Sequence, residues 1–194
     1  MRKLRRAEER GRTRAGWLDS RHTFSFGDYN DRTWSGIRAL RVMNEDLISP
    51  RAGYKQHTHR DVEIVTWVLD GTLEQTDAEG NSTLLAAGEI QRATAGTGIE
   101  HAERNTSTDA PLRYLQMWFV PKERYLEPSV EQRTLAPDDV NGRLHLVVSG
   151  SGRDGSLRIA QDVSIYVTRL EAGQEAALVI GTGRSAWVQV VRGT

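Results

Sequence analysis

Two pairs of metal-ligand side chains share one spacing: His57-Thr58-His59 and, further along, His101-Ala102-Glu103. In a β-strand successive side chains alternate faces, so residues i and i+2 point the same way, about 6.6 Å apart along the strand. In a helix they do not share a face. If two strands carrying these pairs face one interior, three imidazoles and a carboxylate can converge on a single cation, with bonds of about 2.0–2.2 Å. Three of the chain's five histidines lie in the two pairs. A lone His-x-His is usually a surface or core feature, but a second ligand pair of the same spacing, in a chain with so little other histidine, favours a metal site.

Composition narrows the ligand chemistry. The 194 residues contain no cysteine, which excludes disulfides, thiolate ligands and a cysteine nucleophile together. Any metal must sit on nitrogen and oxygen. Twenty-six basic residues balance twenty-six acidic ones, so the net field that accompanies nucleic-acid binding is missing. The N-terminal run Arg2, Lys3, Arg5, Arg6, Arg10, Arg12 and Arg14 is broken by Glu8 and Glu9 and holds no aromatic residue to stack a base. It reads as a solvated arm, and no nucleic-acid partner is expected. No apolar run approaches the roughly 20 residues needed to span a bilayer, and the N-terminus lacks a secretory apolar stretch. A soluble, cytoplasmic protein without a membrane partner is expected.

Runs of β-branched and aromatic residues alternate with Gly, Asp and Asn turns, as in 61–69, 113–120, 143–148, 159–170 and 186–191. This pattern predicts an all-β sandwich or barrel. The stretch 126–142, with LEPSVEQ and APDDVNG, reads as a linker carrying one helical turn. It separates an N-terminal domain, 1–125, from a C-terminal one, 143–194. Superposing the halves at an offset of 120 residues sets Gly53 on Gly173 and Trp67-Val68 on Trp187-Val188. The same register puts Ala177 opposite His57 and Val179 opposite His59, so the second half resembles a copy whose ligands became apolar. That copy ends soon after Trp187, before any second ligand pair, and the C-terminal barrel is expected to be truncated.

Around the first pair the sequence reads GYKQHTHRDVEIVTWVLDG, residues 53–71, and around the second GEIQRATAGTGIEHAERN, residues 88–105. These resemble the two cupin motifs, with Thr94 where that pattern usually has proline. The segments GWLDSRHTFSFGDY, LRVMNEDLISPRAGY, HTHRDVEIVTWVLDG and TAGTGIEHAERN are similar, more specifically, to the pirin family of bicupins. Gln56 departs from the proline common before the first ligand histidine there. The resemblance implies two jelly-roll-like cupin barrels, the N-terminal one holding iron or a similar divalent metal and the C-terminal one without metal ligands. It also implies His57, His59, His101 and Glu103 as ligands. Strand parity alone keeps Glu63 open as an alternative ligand or supporting residue if the strand from His57 is unbroken. His22 reads as a structural or pocket-edge residue, His145 as a satisfied strand residue, and Phe24, Phe26, Trp67 and Trp118 as core. Phe26 or Trp67 could also line a substrate cavity.

Three neutral imidazoles and one carboxylate around a divalent ion leave a net charge of plus one and about two open octahedral positions. Such a site suits a monoanionic chelating ligand, such as a deprotonated flavonol or related enediol, whose hydroxyl pKa the metal lowers. Nitrogen and oxygen ligation admits Fe(II), Mn, Ni, Co, Cu or Zn; resemblance to pirins points to Fe(II). The resemblance implies a quercetin 2,3-dioxygenase-like enzyme using O2, with Glu103 as general base. The alternative it implies is a redox-sensing iron protein, a transcriptional or metabolic co-regulator that docks to a protein partner. Resemblance further suggests a monomer.

Overall fold

The structure, a computed structural model, describes residues 3–193; Arg2 of the basic arm lies outside the described residues. Among the described residues, fourteen strands follow one another. They are β1 (Gly11–Arg14), β2 (Leu18–His22), β3 (Leu40–Ile48), β4 (Gly53–His59), β5 (Glu63–Asp70), β6 (Thr72–Asp77) and β7 (Ser82–Ala86). Then come β8 (Glu89–Thr94), β9 (Ile99–Asn105), β10 (Leu112–Phe119), β11 (Ser129–Thr134), β12 (His145–Ser149), β13 (Leu157–Arg158) and β14 (Ser164–Val167). The all-β expectation holds, and the one α-helical turn, α1 (Pro137–Val140), falls where the linker was expected to carry it.

A seven-stranded sheet, β1-β2-β3-β10-β5-β8-β11, faces a four-stranded sheet, β4-β9-β6-β7, and a three-stranded sheet, β13-β12-β14, packs outside the larger one. The central strands of the large sheet, β10, β5 and β8, are buried on both faces, whereas the edge strands β1 and β11 are largely exposed. On β10 the alternation is direct: Leu112, Tyr114 and Gln116 are buried towards the small sheet, while Met117 and Phe119 pack with Val65, Val147, Val148 and Ile159 towards the C-terminal strands. A second cluster, Leu18, Ile48, Val68, Leu73, Leu85 and Leu112, fills one end of the N-terminal barrel. Burying each such side chain contributes about 1.5–3 kcal/mol, so this plug holds the two sheets at fixed separation.

The structure differs from the sequence reading in three places. Ser129–Thr134, inside the segment read as a linker, pairs antiparallel with Glu89–Thr94 and forms the edge of the large sheet. Residues 186–191, read as a strand, form none, and among the described residues no strand follows Val167. Val188 and Val190 are exposed, and only Trp187 is anchored, its ring edge-on to Phe24 and Trp34 at 5.1 and 5.9 Å. Val179, aligned with His59 by the repeat, is 93% exposed and lines no barrel. A strand needs partner backbone as well as β-forming side chains, and no neighbour supplies it here. His145 also departs from expectation: its Nε2 is buried and has no hydrogen-bond partner.

The basic arm is tied down by ion pairs of Arg12 with Asp19 and of Arg10 with Glu45 at 3.0 Å, and by a cation–π contact of Arg5, whose guanidinium lies 4.9 Å from the Trp34 ring centroid. No helix among the described residues is long and apolar enough to cross a membrane.

Candidate metal centre

β4 and β9 pair antiparallel, and this places His57 directly across from His101. Tyr54 also faces Glu103, yet two residues separate Tyr54 from His57 and only one separates His101 from Glu103. One extra residue is therefore bulged out between Tyr54 and His57. Without it His57 would point to the opposite face from Tyr54; the bulge turns its imidazole inward. Gln56, the position that departs from the pirin pattern, sits in this bulge. The His57 Nδ1 is 2.8 Å from the Lys55 carbonyl. A carbonyl only accepts, so Nδ1 carries the proton and the lone pair is on Nε2.

His57, His59 and His101 each offer a nitrogen within 4.8 Å of the others, and their ring centroids lie 4.7–5.1 Å apart. The Nε2 atoms of His59 and His101 are buried without any hydrogen-bond partner. Burial, reinforced by the neighbouring imidazoles, pushes both rings down to about 4, so both are neutral at pH 7. Unpaired buried acceptors in a neutral imidazole cluster are costly unless an electrophile occupies their shared centre. The donor set fits a divalent cation.

Glu103 lies two residues beyond His101 on β9 and is 2% exposed. Oε1 accepts from Gln75 Nε2 at 3.1 Å and Gln116 Nε2 at 2.9 Å; Oε2 accepts from the Tyr114 hydroxyl at 3.3 Å. Burial raises its pKa, while these donors and His57 oppose that. Glu103 is not among the side chains whose ligand atoms cluster within 4.8 Å.

Glu63 is elsewhere. The strand from His57 ends at His59, Asp61 takes a positive φ of 50°, and the chain re-enters the other sheet as β5. The condition that made Glu63 a rival ligand, an unbroken strand, is not met. Its Oε2 accepts from the Thr94 hydroxyl at 3.0 Å and the Ala160 backbone N–H at 3.1 Å, which ties it to the C-terminal segment.

Sequence reasoning missed the side chains around the carboxylate. Gln75 pairs with Glu103 across β6 and β9, and Tyr114, Gln116 and Trp118 recur at every second residue of β10. A buried strand that places Tyr, Gln and Trp on one face was the available signal. Trp118, read as core, is half-buried with its ring edge-on to His59 at 5.0 Å and to Phe26 at 5.4 Å. His22 is buried, with Nδ1 2.9 Å from Asn44 Oδ1 and Nε2 2.8 Å from Thr13 Oγ1, and its ring lies 5.2 Å from Phe26. Trp67 packs instead on the core shared with the C-terminal strands.

Known proteins resemble this chain over most of its length. Residues 3–119 match the family described as Pirin, and residues 146–194 match the family described as Quercetinase C-terminal cupin domain. A quercetin 2,3-dioxygenase of Escherichia coli K12 is 45% identical over 190 residues, 98% of this chain and 81% of the relative. A pirin-like protein of Caulobacter vibrioides is 36% identical, over 89% of this chain and 75% of its own length. Among solved structures, the bacterial pirin YhhW from Escherichia coli in complex with nickel(II) is 47% identical with a TM-score of 0.79, covering 84% of this chain and 69% of that one.

Proposed function

The chain belongs to the pirin family, and on that premise we propose that it is a metal-dependent dioxygenase that cleaves flavonols such as quercetin, with His57, His59, His101 and Glu103 holding a single Fe(II). The observation that carries the proposal is the cluster of three imidazoles whose nitrogens lie within 4.8 Å, two of them buried and unpartnered. Relatives named quercetin 2,3-dioxygenase supply the reaction class, and the nickel(II) complex of YhhW supports a divalent ion.

A divalent ion held there supplies Lewis acidity, which lowers the pKa of a chelating hydroxyl, and a redox path between the chelate and O2. The protein's own contributions are positional. His57 is fixed as a ligand through Nε2 by its bond to Lys55, and His59 and His101 stay neutral because they are buried. Glu103 is the fourth ligand of this reading, sharing the inward face of β9 with His101. Glu103 also takes the flavonol 3-hydroxyl proton at Oε2, in place of the long bond from the Tyr114 hydroxyl, since Oε1 already accepts from two amides. Trp118 and Phe26 form an aromatic wall beside His59 against which a planar ring system can stack while water is kept out.

The test is aerobic incubation of iron-loaded protein with quercetin. Oxygen uptake, carbon monoxide release and formation of the ring-opened depside are expected. Absence of turnover with every flavonol and enediol tried would refute the enzymatic reading.

A further inference from the structure

Gln116 sits between two groups of the centre, and its amide can face only one way. The Trp118 indole N–H donates to Gln116 Oε1 at 2.9 Å. An indole N–H never accepts, so this bond assigns the amide oxygen to the tryptophan side and turns the NH2 group towards Glu103 Oε1, at 2.9 Å, and Thr66 Oγ1, at 3.5 Å. If the amide flipped, its oxygen would face the carboxylate and its NH2 would face the indole donor, losing both bonds and opposing like partners. Gln116 is 8% exposed, so water cannot compensate.

Trp118 makes a second contact with the centre. Its ring stands edge-on to His59, with an interplanar angle of 81°. One side chain thus touches one imidazole of the cluster directly and, through a single amide, fixes the carboxylate. The pairing register explains how: Gln116 and Trp118 are i and i+2 on β10, and Gln116 lies across from Asn44 on β3 and Thr66 on β5. The pair is therefore held by the central strand of the large sheet, while the histidines and Glu103 come from the small sheet. Gln116 is a bridge between sheets at the level of the site.

We propose that Trp118 and Gln116 form a positioning pair that sets the orientation of Glu103, and with it the affinity and geometry of the metal centre. This rests on the metal site proposed above. Neither residue is a ligand. Gln116 and Gln75 together saturate Oε1, which leaves Oε2, with one longer phenolic bond, as the carboxylate oxygen with spare lone-pair capacity. Without the indole donor, the Gln116 amide loses the partner that defines its orientation and Glu103 loses a fixed donor.

The experiment uses the full chain, stripped of metal and titrated with Co(II), read by calorimetry and visible absorption, without flavonol. Trp118→Phe keeps an aromatic ring beside His59 but removes the N–H; Gln116→Met keeps chain length but removes both amide groups. Each variant is expected to weaken Co(II) binding about 10-fold, the lower end of losses seen when a group supporting a metal ligand is removed, and to shift the cobalt absorption bands. Because Trp118 acts through Gln116, the double variant should bind no more weakly than the weaker single variant. Losses that multiply in the double variant overturn the proposal, as do singles with wild-type affinity and spectrum, including singles that change only the thermal midpoint. Should Gln116→Met not fold, the Trp118→Phe spectrum and affinity alone decide, unchanged values overturning the pair. Wild-type protein that binds no divalent metal refutes the underlying site itself, a result distinct from wild-type binding with unaltered variants.

Discussion

Glu103 is a buried carboxylate surrounded by donors, and this distinguishes its role from that of an ordinary core acid. Glu103→Gln retains shape, and its amide oxygen can still accept from Gln75 and Gln116 while its NH2 faces the Tyr114 hydroxyl, which can accept. We therefore expect the variant to fold with a thermal midpoint within a few degrees of wild type but to lose at least about 10-fold in metal affinity, because a neutral amide replaces an anionic ligand. Equal affinity measured by calorimetry would remove Glu103 from the ligand set. The histidines at this scale were legible in the sequence, since i and i+2 parity alone aims each pair. The donors around Glu103 were not: Gln75, Tyr114 and Gln116 come from strands whose pairing with β9 or across the barrel is a tertiary fact, and glutamine in a strand has no local signature of its own.

At the level of elements, the site depends on how closely β4 and β9 approach. A Cβ added at Gly53 would lie 2.0 Å from the Glu103 carbonyl oxygen and 2.6 Å from Arg104 Cα, both backbone atoms that cannot move without shifting the strand. Gly53→Ala should cost at least about 1–3 kcal/mol of stability by overpacking and reduce metal binding, because the displaced strand carries His101 and Glu103; urea unfolding and metal titration on the same protein check both. The sequence shows Gly53 opening the segment 53–71 but not the reason for it, which is a backbone contact across the sheet.

Glu63 illustrates the opposite case. Parity on an unbroken strand brought it to the metal, whereas the positive φ at Asp61 ends that strand and sends Glu63 to the other sheet. There burial raises its pKa, against the Ala160 N–H, the Thr94 hydroxyl and the charge of Arg92, and Oε1 has no partner. A carboxyl whose folded pKa lies above its unfolded value binds protons more tightly in the folded state, so its ionisation subtracts stability as pH rises through the unfolded and then the folded pKa. Glu63→Gln should accordingly have a higher urea midpoint than wild type at pH 7, with the gap closing as pH falls below the ordinary carboxylate range. A gap that is constant with pH, or of opposite sign, would contradict this.

Across the whole molecule, order is unevenly distributed. The N-terminal barrel has an apolar plug at one end and the imidazole cluster in the same interior, and the C-terminal strands β12–β14 cover the outer face of its large sheet. Residues 171–193 contain no strand, and Leu178, Val179, Ile180, Val188 and Val190 are exposed. Limited trypsinolysis should cut first at Arg184, whose exposed side chain pairs with the Asp162 carboxylate at 2.5 Å and donates to the Asp162 carbonyl at 3.4 Å. Cleavage there should leave bound metal in place; early cutting within β3 or β10 would contradict the account. The internal repeat led to an expectation of strands in this region because apolar and β-branched residues were present at matching positions. What the repeat could not convey is that strand formation requires adjacent backbone to pair with.

The proposed site holds a single divalent cation on His57, His59, His101 and Glu103 inside the N-terminal barrel. Elemental analysis of protein purified without added metal, for wild type and for His101→Ala, tests it most directly. About one equivalent of metal per chain, chiefly iron, is expected in the wild type and loss of most of it in the variant, since removing one of so few ligands dismantles the site. Metal-free wild type, or a variant that retains the same metal content, would contradict it.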